Sequence, residues 1–178
     1  MWLPNLVIKG EIVSCLPLLS LPYRKYIAPN KSFITGGREM EQNNTQQRPS
    51  QMRHLVGYRV VEESKEKVVA EIDFRDDLSQ SMGVWHAGAI ITLADTAATG
   101  VAFQNMEPPS CQSGSEQFPV AIQISANLLR NSNKGKLVAE AVPVHVGRRT
   151  IVVQTTVRNE EGLHLATVTT TMVPVSRE

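Results

Sequence analysis

Apolar residues fall on alternate positions through Val68, Ala70, Ile72 and Phe74, with Glu71 and Asp73 between them. That is the pattern of a strand with one buried face. Val120, Ile122, Ile124, Ala126 and Leu128 repeat it around Gln123, Ser125 and Asn127. Leu137 to Val146 predicts a third strand, in which Pro143 points to an edge or a bulge, because proline cannot donate to a ladder. Ile151 to Arg158 and Leu165 to Val173 are rich in Val and Thr and predict two more. The short stretches 131–135 (NSNKG), 147–149 (GRR) and 159–162 (NEEG) separate these strands, and turns of that length favour antiparallel neighbours. One segment breaks the alternation. Residues 86–103 (HAGAIITLADTAATGVAF) predict a helix of about five turns. Ile90, Leu93, Ala97 and Val101 make one apolar stripe on it, and Gly88, Thr92, Asp95 and Thr99 make a second that is small and polar. Its many Ala and Gly residues keep it thin, so a curved sheet can wrap it closely.

Two strands, one long helix and four strands predict an α+β domain with a single helix on an antiparallel sheet. A length of 178 residues allows one such domain. That domain is expected over 52–176, after an extension at 1–51. Residues 1–39 carry five basic and two acidic side chains, a net +3, while the other 139 residues carry −2. Pro4, Pro17, Pro22 and Pro29 interrupt the apolar runs of this segment. It reads either as an upstream extension whose real start is Met40 or as an organelle-targeting segment. The polar stretch 41–51 reads as a flexible lead-in.

Charge and composition exclude several classes. A net charge of +1 gives no basic footprint for nucleic acid. No apolar run reaches the roughly 18 residues of a membrane span. Cys15 and Cys111 are too few for a disulfide framework, and no CxxC or HxxxH spacing suggests a metal. A soluble protein of the cytoplasm is the expectation, with organelle targeting by residues 1–39 left open.

The polar residues concentrate at 80–99. A helix N-terminus presents unpaired N–H groups and about half a positive charge, which suits it to an oxyanion. Gly83 and Gly88 would let a carbonyl substrate approach the backbone there. Asp95 sits mid-helix, where an acid gains nothing in helix propensity, and Thr99 shares its face one turn later. Composition alone leaves Asp95 open between catalysis and a solvated or interfacial role. It likewise leaves His86 between a base and a structural hydrogen-bonding residue. Trp85 reads as packing, with Trp85 and Phe103 also candidates for lining an acyl pocket.

Gln80, then Gly83, then His86-Ala87-Gly88, then Asp95 resembles the helix motif of hotdog-fold acyl-CoA thioesterases of the phenylacetic-acid-degradation and 4-hydroxybenzoyl-CoA type. The resemblance covers about 52–175 and includes the segment LLRNSNKGKLVAEAVPVHVGRRT. It implies a hotdog fold and hydrolysis of an acyl-CoA to free acid and coenzyme A, with no separate cofactor because coenzyme A is part of the substrate. It implies that Asp95 is the nucleophile or the base that activates water, assisted by Thr99. It further implies that the Ala87 N–H polarises the thioester carbonyl and that His86 and Gln80 orient that carbonyl or the water. Ala87 departs from the usual Gly, and Ala121 stands where some relatives place Ser, Thr or His.

Gly88, Arg130, Gly147, Arg148 and Arg149 are the candidate coenzyme A contacts, since Arg suits bidentate anion binding. The alternative is that these turns merely expose charge. A non-catalytic acyl-CoA-binding protein and an acyl-thioester hydratase or dehydratase of the same fold also remain open. Helix geometry adds one requirement. His86 and Asp95 are nine residues apart, about 13 Å along an axis and half a turn round it. One carbonyl can meet both only if a second subunit supplies one of them, so a homodimer is expected. The resemblance extends this to a dimer of dimers.

Overall fold

A computed structural model describes residues 6–8, 11–13, 50–106 and 117–176. The chain divides into two compact units, Met1–Pro49 and Ser50–Glu178. In the first, β1 (Leu6–Ile8) and β2 (Glu11–Val13) pair antiparallel with Leu6 opposite Val13. Strands of three residues are too short to show alternation, and the sequence reading assigned none there. The four prolines, the polar stretch 41–49 and any targeting signal beyond these strands lie outside the described residues.

The second unit opens with a short helix, α1 (Gln51–Val56), which the alternation did not predict. It ends on Gly57, whose left-handed φ of 77° lets its N–H turn back to the Arg53 carbonyl. The strands β3 (Arg59–Glu63) and β4 (Val68–Asp73) follow, then the long helix α2 (Ala87–Asn105). Four strands complete the unit: β5 (Gln117–Leu128), β6 (Lys136–Val146), β7 (Ile151–Asn159) and β8 (His164–Ser176). They form one antiparallel sheet in the order β3-β4-β6-β7-β8-β5. The α+β order expected from the sequence, two strands, a helix and four strands, is the order observed.

One strand pairing differs from expectation. The 131–135 turn does not join neighbours, because β5 pairs with β8 and β6 lies between β4 and β7. Leu129 and Arg130 N–H still donate to the Leu165 carbonyl (2.8 and 3.2 Å), so the chain leaves β5 beside β8. It then crosses the end of the sheet over β8 and β7, about 14 Å at the usual strand spacing. A turn's brevity limits the span it can bridge, not the direction it takes. Pro143 does mark a bulge, with the β6–β7 register breaking between Pro143 and His145, although β6 is interior.

α2 touches all six strands. A flat six-stranded sheet is more than twice as wide as a helix, so this contact requires the sheet to curl round the helix. The stripe read from the sequence is the buried one: Ile90, Leu93, Ala97 and Val101 are all fully buried. A Cβ on Gly100 would come within 3.1 Å of the Val68 side chain, so the missing side chain sets the spacing between α2 and β4. Along the edge strand β5 the cover fails. Ile124 and Leu128 pair with Thr170 and Ala166, which are fully buried, yet they are themselves 42% and 46% exposed.

Candidate active site

The chain enters α2 through a tight loop. Gln80 N–H donates to the Val84 carbonyl (2.9 Å) and Gly83 N–H to the Gln80 carbonyl (2.8 Å). Gly83 adopts φ 71°, which explains a glycine there. Ser79 and Trp85 bridge antiparallel across the loop. Gln80 is thus held by both of its backbone groups, with its side chain half-buried. Trp85 is fully buried and meets Phe74 edge-to-face at 5.1 Å, so it is a core residue.

His86 is the N-cap of α2. Its carbonyl accepts from Ala89 and Ile90 (3.0 and 3.3 Å), and its Nδ1 accepts the Gly88 N–H at 2.9 Å. An acceptor Nδ1 leaves the ring proton of the neutral imidazole on Nε2. Gly88 therefore serves the cap, and a Cβ there would lie 2.9 Å from Nδ1. The preceding N–H, that of Ala87, has no acceptor among the described residues. It is the free donor at the positive end of a 19-residue helix.

Asp95, Thr92 and Thr99 are half-buried on the stripe that the sheet leaves uncovered. Asp95 Oδ1 is buried with no hydrogen-bond partner. Burial pushes its carboxyl above the ordinary aspartate range, since the charged form loses solvation and nothing compensates. Among the described residues the Thr99 hydroxyl makes no bond to it, while the neighbouring Thr96 hydroxyl donates to the Thr92 carbonyl (2.8 Å). Ala121 is half-buried on β5 against the core.

α2 is continuous, so His86 and Asp95 stand about 13 Å apart along it and on opposite sides. One chain does not bring them together. The arginines are also separated. Arg130, bonded to the His164 carbonyl (3.4 Å), is at the end of the sheet where Trp85 leads into α2. Gly147, Arg148 and Arg149 are at the other end, where they border a cleft of about 430 Å³ with Asn105, Gln117 and Val146. Among the described residues no carboxylate pairs with Arg148 or Arg149, whereas Arg59, Lys67 and Lys136 are all in ion pairs. Asn131, read from the sequence only as part of a turn, donates to the Trp85 carbonyl (3.0 Å) and so belongs to the support of this site. The bond joins residues 46 apart, and no local pattern signals it.

Residues 82–166 match the family model of the thioesterase superfamily. ComA2 of Bacillus subtilis, a candidate esterase, is 35% identical over 106 residues, covering 60% of this chain and 79% of ComA2. The chain belongs to the thioesterase superfamily. A 1,4-dihydroxy-2-naphthoyl-CoA hydrolase of Listeria monocytogenes is 26% identical, covering 61% of this chain and 83% of that protein. A thioesterase of Haemophilus influenzae superposes with a TM-score of 0.63 at 25% identity, covering 70% of this chain and 82% of that one. A Streptococcus mutans protein solved with acetyl CoA superposes at 0.59 and 26% identity, covering 68% and 90%. This superfamily member has the hotdog arrangement that its motif implied, and it is a thioester hydrolase. Among the described residues no helix is long and apolar enough to cross a membrane.

Proposed function

We propose that this thioesterase hydrolyses an acyl-CoA in a site shared by two subunits, with Asp95 as nucleophile or general base. The observation that carries the reading is the buried, unpartnered Oδ1 of Asp95 on the uncovered stripe of α2. A carboxylate in that state has a lone pair free for a water or a carbonyl carbon, and its raised proton affinity strengthens it as a base. The free Ala87 N–H, aided by the Nε2–H of His86, polarises the thioester carbonyl as it becomes an oxyanion. One such donor is worth about 3–4 kcal/mol in the transition state. Gln80 orients the carbonyl or the water, and Thr99 steadies Asp95 once a water lies between them.

If His86 and Asp95 both act on one carbonyl, a second subunit supplies one of them. A twofold dimer opposes the Gln80–Ala87 group of one subunit to Asp95 and Thr99 of the other, and does so twice. The half-exposed Ile124 and Leu128 on the edge of the sheet supply apolar surface for that contact. Asp95 and Asn105 are ten residues apart on α2, about 15 Å, so the cleft with Arg148 and Arg149 lies a pantetheine arm away from the carboxylate. The unpaired arginines are suited to the phosphates of coenzyme A. The test is thiol release from a panel of aryl, short-chain and long-chain acyl-CoAs, run beside enoyl-CoA hydration. Hydrolysis of one class by the wild type, lost in Asp95→Asn, supports the reading. Hydration without thiol release, or equal hydrolysis by both proteins, overturns it.

A further inference from the structure

We infer that Asn131 is a positioning residue for the Ala87 N–H, an inference that rests on the carbonyl-polarising role proposed above for that group. The direction of the Ala87 N–H is set by the peptide plane between His86 and Ala87. Within the helix that plane is held by the His86 carbonyl, which accepts from Ala89 and Ile90. The placement of the helix start as a whole depends on the residue before it. Trp85 N–H donates to the Ser132 carbonyl (3.0 Å), the Trp85 carbonyl accepts from Asn131 Nδ2 (3.0 Å), and His86 N–H donates to the Leu78 carbonyl (2.9 Å). Two of these three bonds come from residues 131 and 132.

The supporting loop is itself anchored. Leu129 and Arg130 are bonded to the Leu165 carbonyl, and the Gly135 carbonyl accepts from Phe74 (2.8 Å). Trp85 packs its ring on that same Phe74. The register of β8 is therefore transmitted through residues 129–132 to the first peptide of α2. Among the described residues, Asn131 is the side chain of this relay that bonds the backbone of Trp85. Its Oδ1 accepts the Ser132 N–H at 2.8 Å while its Nδ2 donates to Trp85. One end must accept and the other must donate, so an amide fits where a carboxylate does not.

This distinguishes positioning from an ordinary turn. A turn needs only the acceptor that bonds Ser132, and aspartate supplies it equally well. Asn131→Asp keeps that bond and replaces the donor to Trp85 with a second acceptor facing a carbonyl. The variant is expected to fold with a melting temperature near that of the wild type. Its kcat for the best acyl-CoA should fall about tenfold, the cost of a small misplacement of a transition-state donor, with KM within about twofold. As the pH is lowered toward about 5, the ratio of variant to wild-type kcat should rise, because a protonated carboxyl regains an O–H to donate to Trp85. In 15N-labelled protein the amide resonances of Trp85, His86 and Ala87 should move in Asn131→Asp and stay in place in the control Asn133→Asp. Unchanged kcat in an active enzyme, or unmoved resonances at residues 85–87, overturns the inference. A wild type inactive on every thioester defeats the proposed function instead, and the resonances still decide the role of Asn131.

Discussion

The imidazole of His86 accepts the Gly88 N–H at 2.9 Å, and this one bond decides what His86 can do. With Nδ1 engaged, the neutral ring keeps its proton on Nε2, which is then a donor. In the mechanism proposed above, His86 is then a partner to the Ala87 N–H in polarising a carbonyl, not a competing base for Asp95.

The first prediction concerns Gly88. A Cβ there falls 2.9 Å from Nδ1, so Gly88→Ala displaces the ring and removes the cap. Loss of an N-cap costs about 1 kcal/mol. Melting should therefore drop by a few degrees while kcat falls by an order of magnitude or more, because both the ring and its outer donor move. Ala87→Gly keeps the N–H and should leave kcat near the wild type. Parallel kinetics and melting curves on the two variants test the assignment.

Asp95→Asn should lose about 100-fold or more in hydrolysis while the protein still folds. Its stability should show a sign opposite to that of a surface aspartate. The folded-state proton affinity of Asp95 is raised by burial, so ionising it costs stability, a cost absent at acidic pH and complete above the folded-state value. The amide carries no such cost. Urea melts should show the Asp95→Asn variant equal to or more stable than the wild type at pH 7–8, with the difference shrinking toward acidic pH. The acidic limb of kcat/KM for the wild type should lie above the ordinary aspartate range.

The helix, its buried stripe and five strands were legible because each depends on local periodicity, and Ile90, Leu93, Ala97 and Val101 are buried as their spacing predicts. The partner of β5 was not legible. Pairing of Leu128 with Ala166 is a long-range outcome, whereas the turn at 131–135 carries only local information. The site divides along the same line. Asp95 and the helix start stand out because an acid in mid-helix and the Gly83 and His86-Ala87-Gly88 run at its start are local anomalies. The separation of Arg130 from Arg148 and Arg149, and the bond from Asn131 to Trp85, exist only once the sheet order is known.

That separation yields a prediction about substrate recognition. If Arg148 and Arg149 hold the phosphates, replacing both with Ala should raise KM for acyl-CoA by about tenfold and weaken its dependence on ionic strength. A short acyl-pantetheine thioester, which lacks the nucleotide, should be hydrolysed equally by variant and wild type. Arg130→Ala, at the far end of the sheet and bonded to the His164 carbonyl, should change KM less than the pair does. An equal loss on both substrates would place the two arginines in the fold instead of the nucleotide site.

The proposed sharing of the site between two subunits makes the most demanding prediction. His86→Ala and Asp95→Asn should each be nearly inactive alone, because every dimer of either variant has two damaged sites. When the two are unfolded together and refolded, a mixed dimer collects both lesions in one site and leaves the other intact. Equal mixing gives half mixed dimers, each with one working site of two, so about a quarter of wild-type activity should return. The regained activity should have the wild-type KM, since the restored site is unaltered. The geometry behind this is simple: His86 and Asp95 lie on opposite sides of one straight helix, about 13 Å apart along it, and no rotamer closes that gap. Mixed dimers shown to form, by mass or by paired affinity tags, and found inactive would return both residues to a single chain and rule out joint action on one carbonyl.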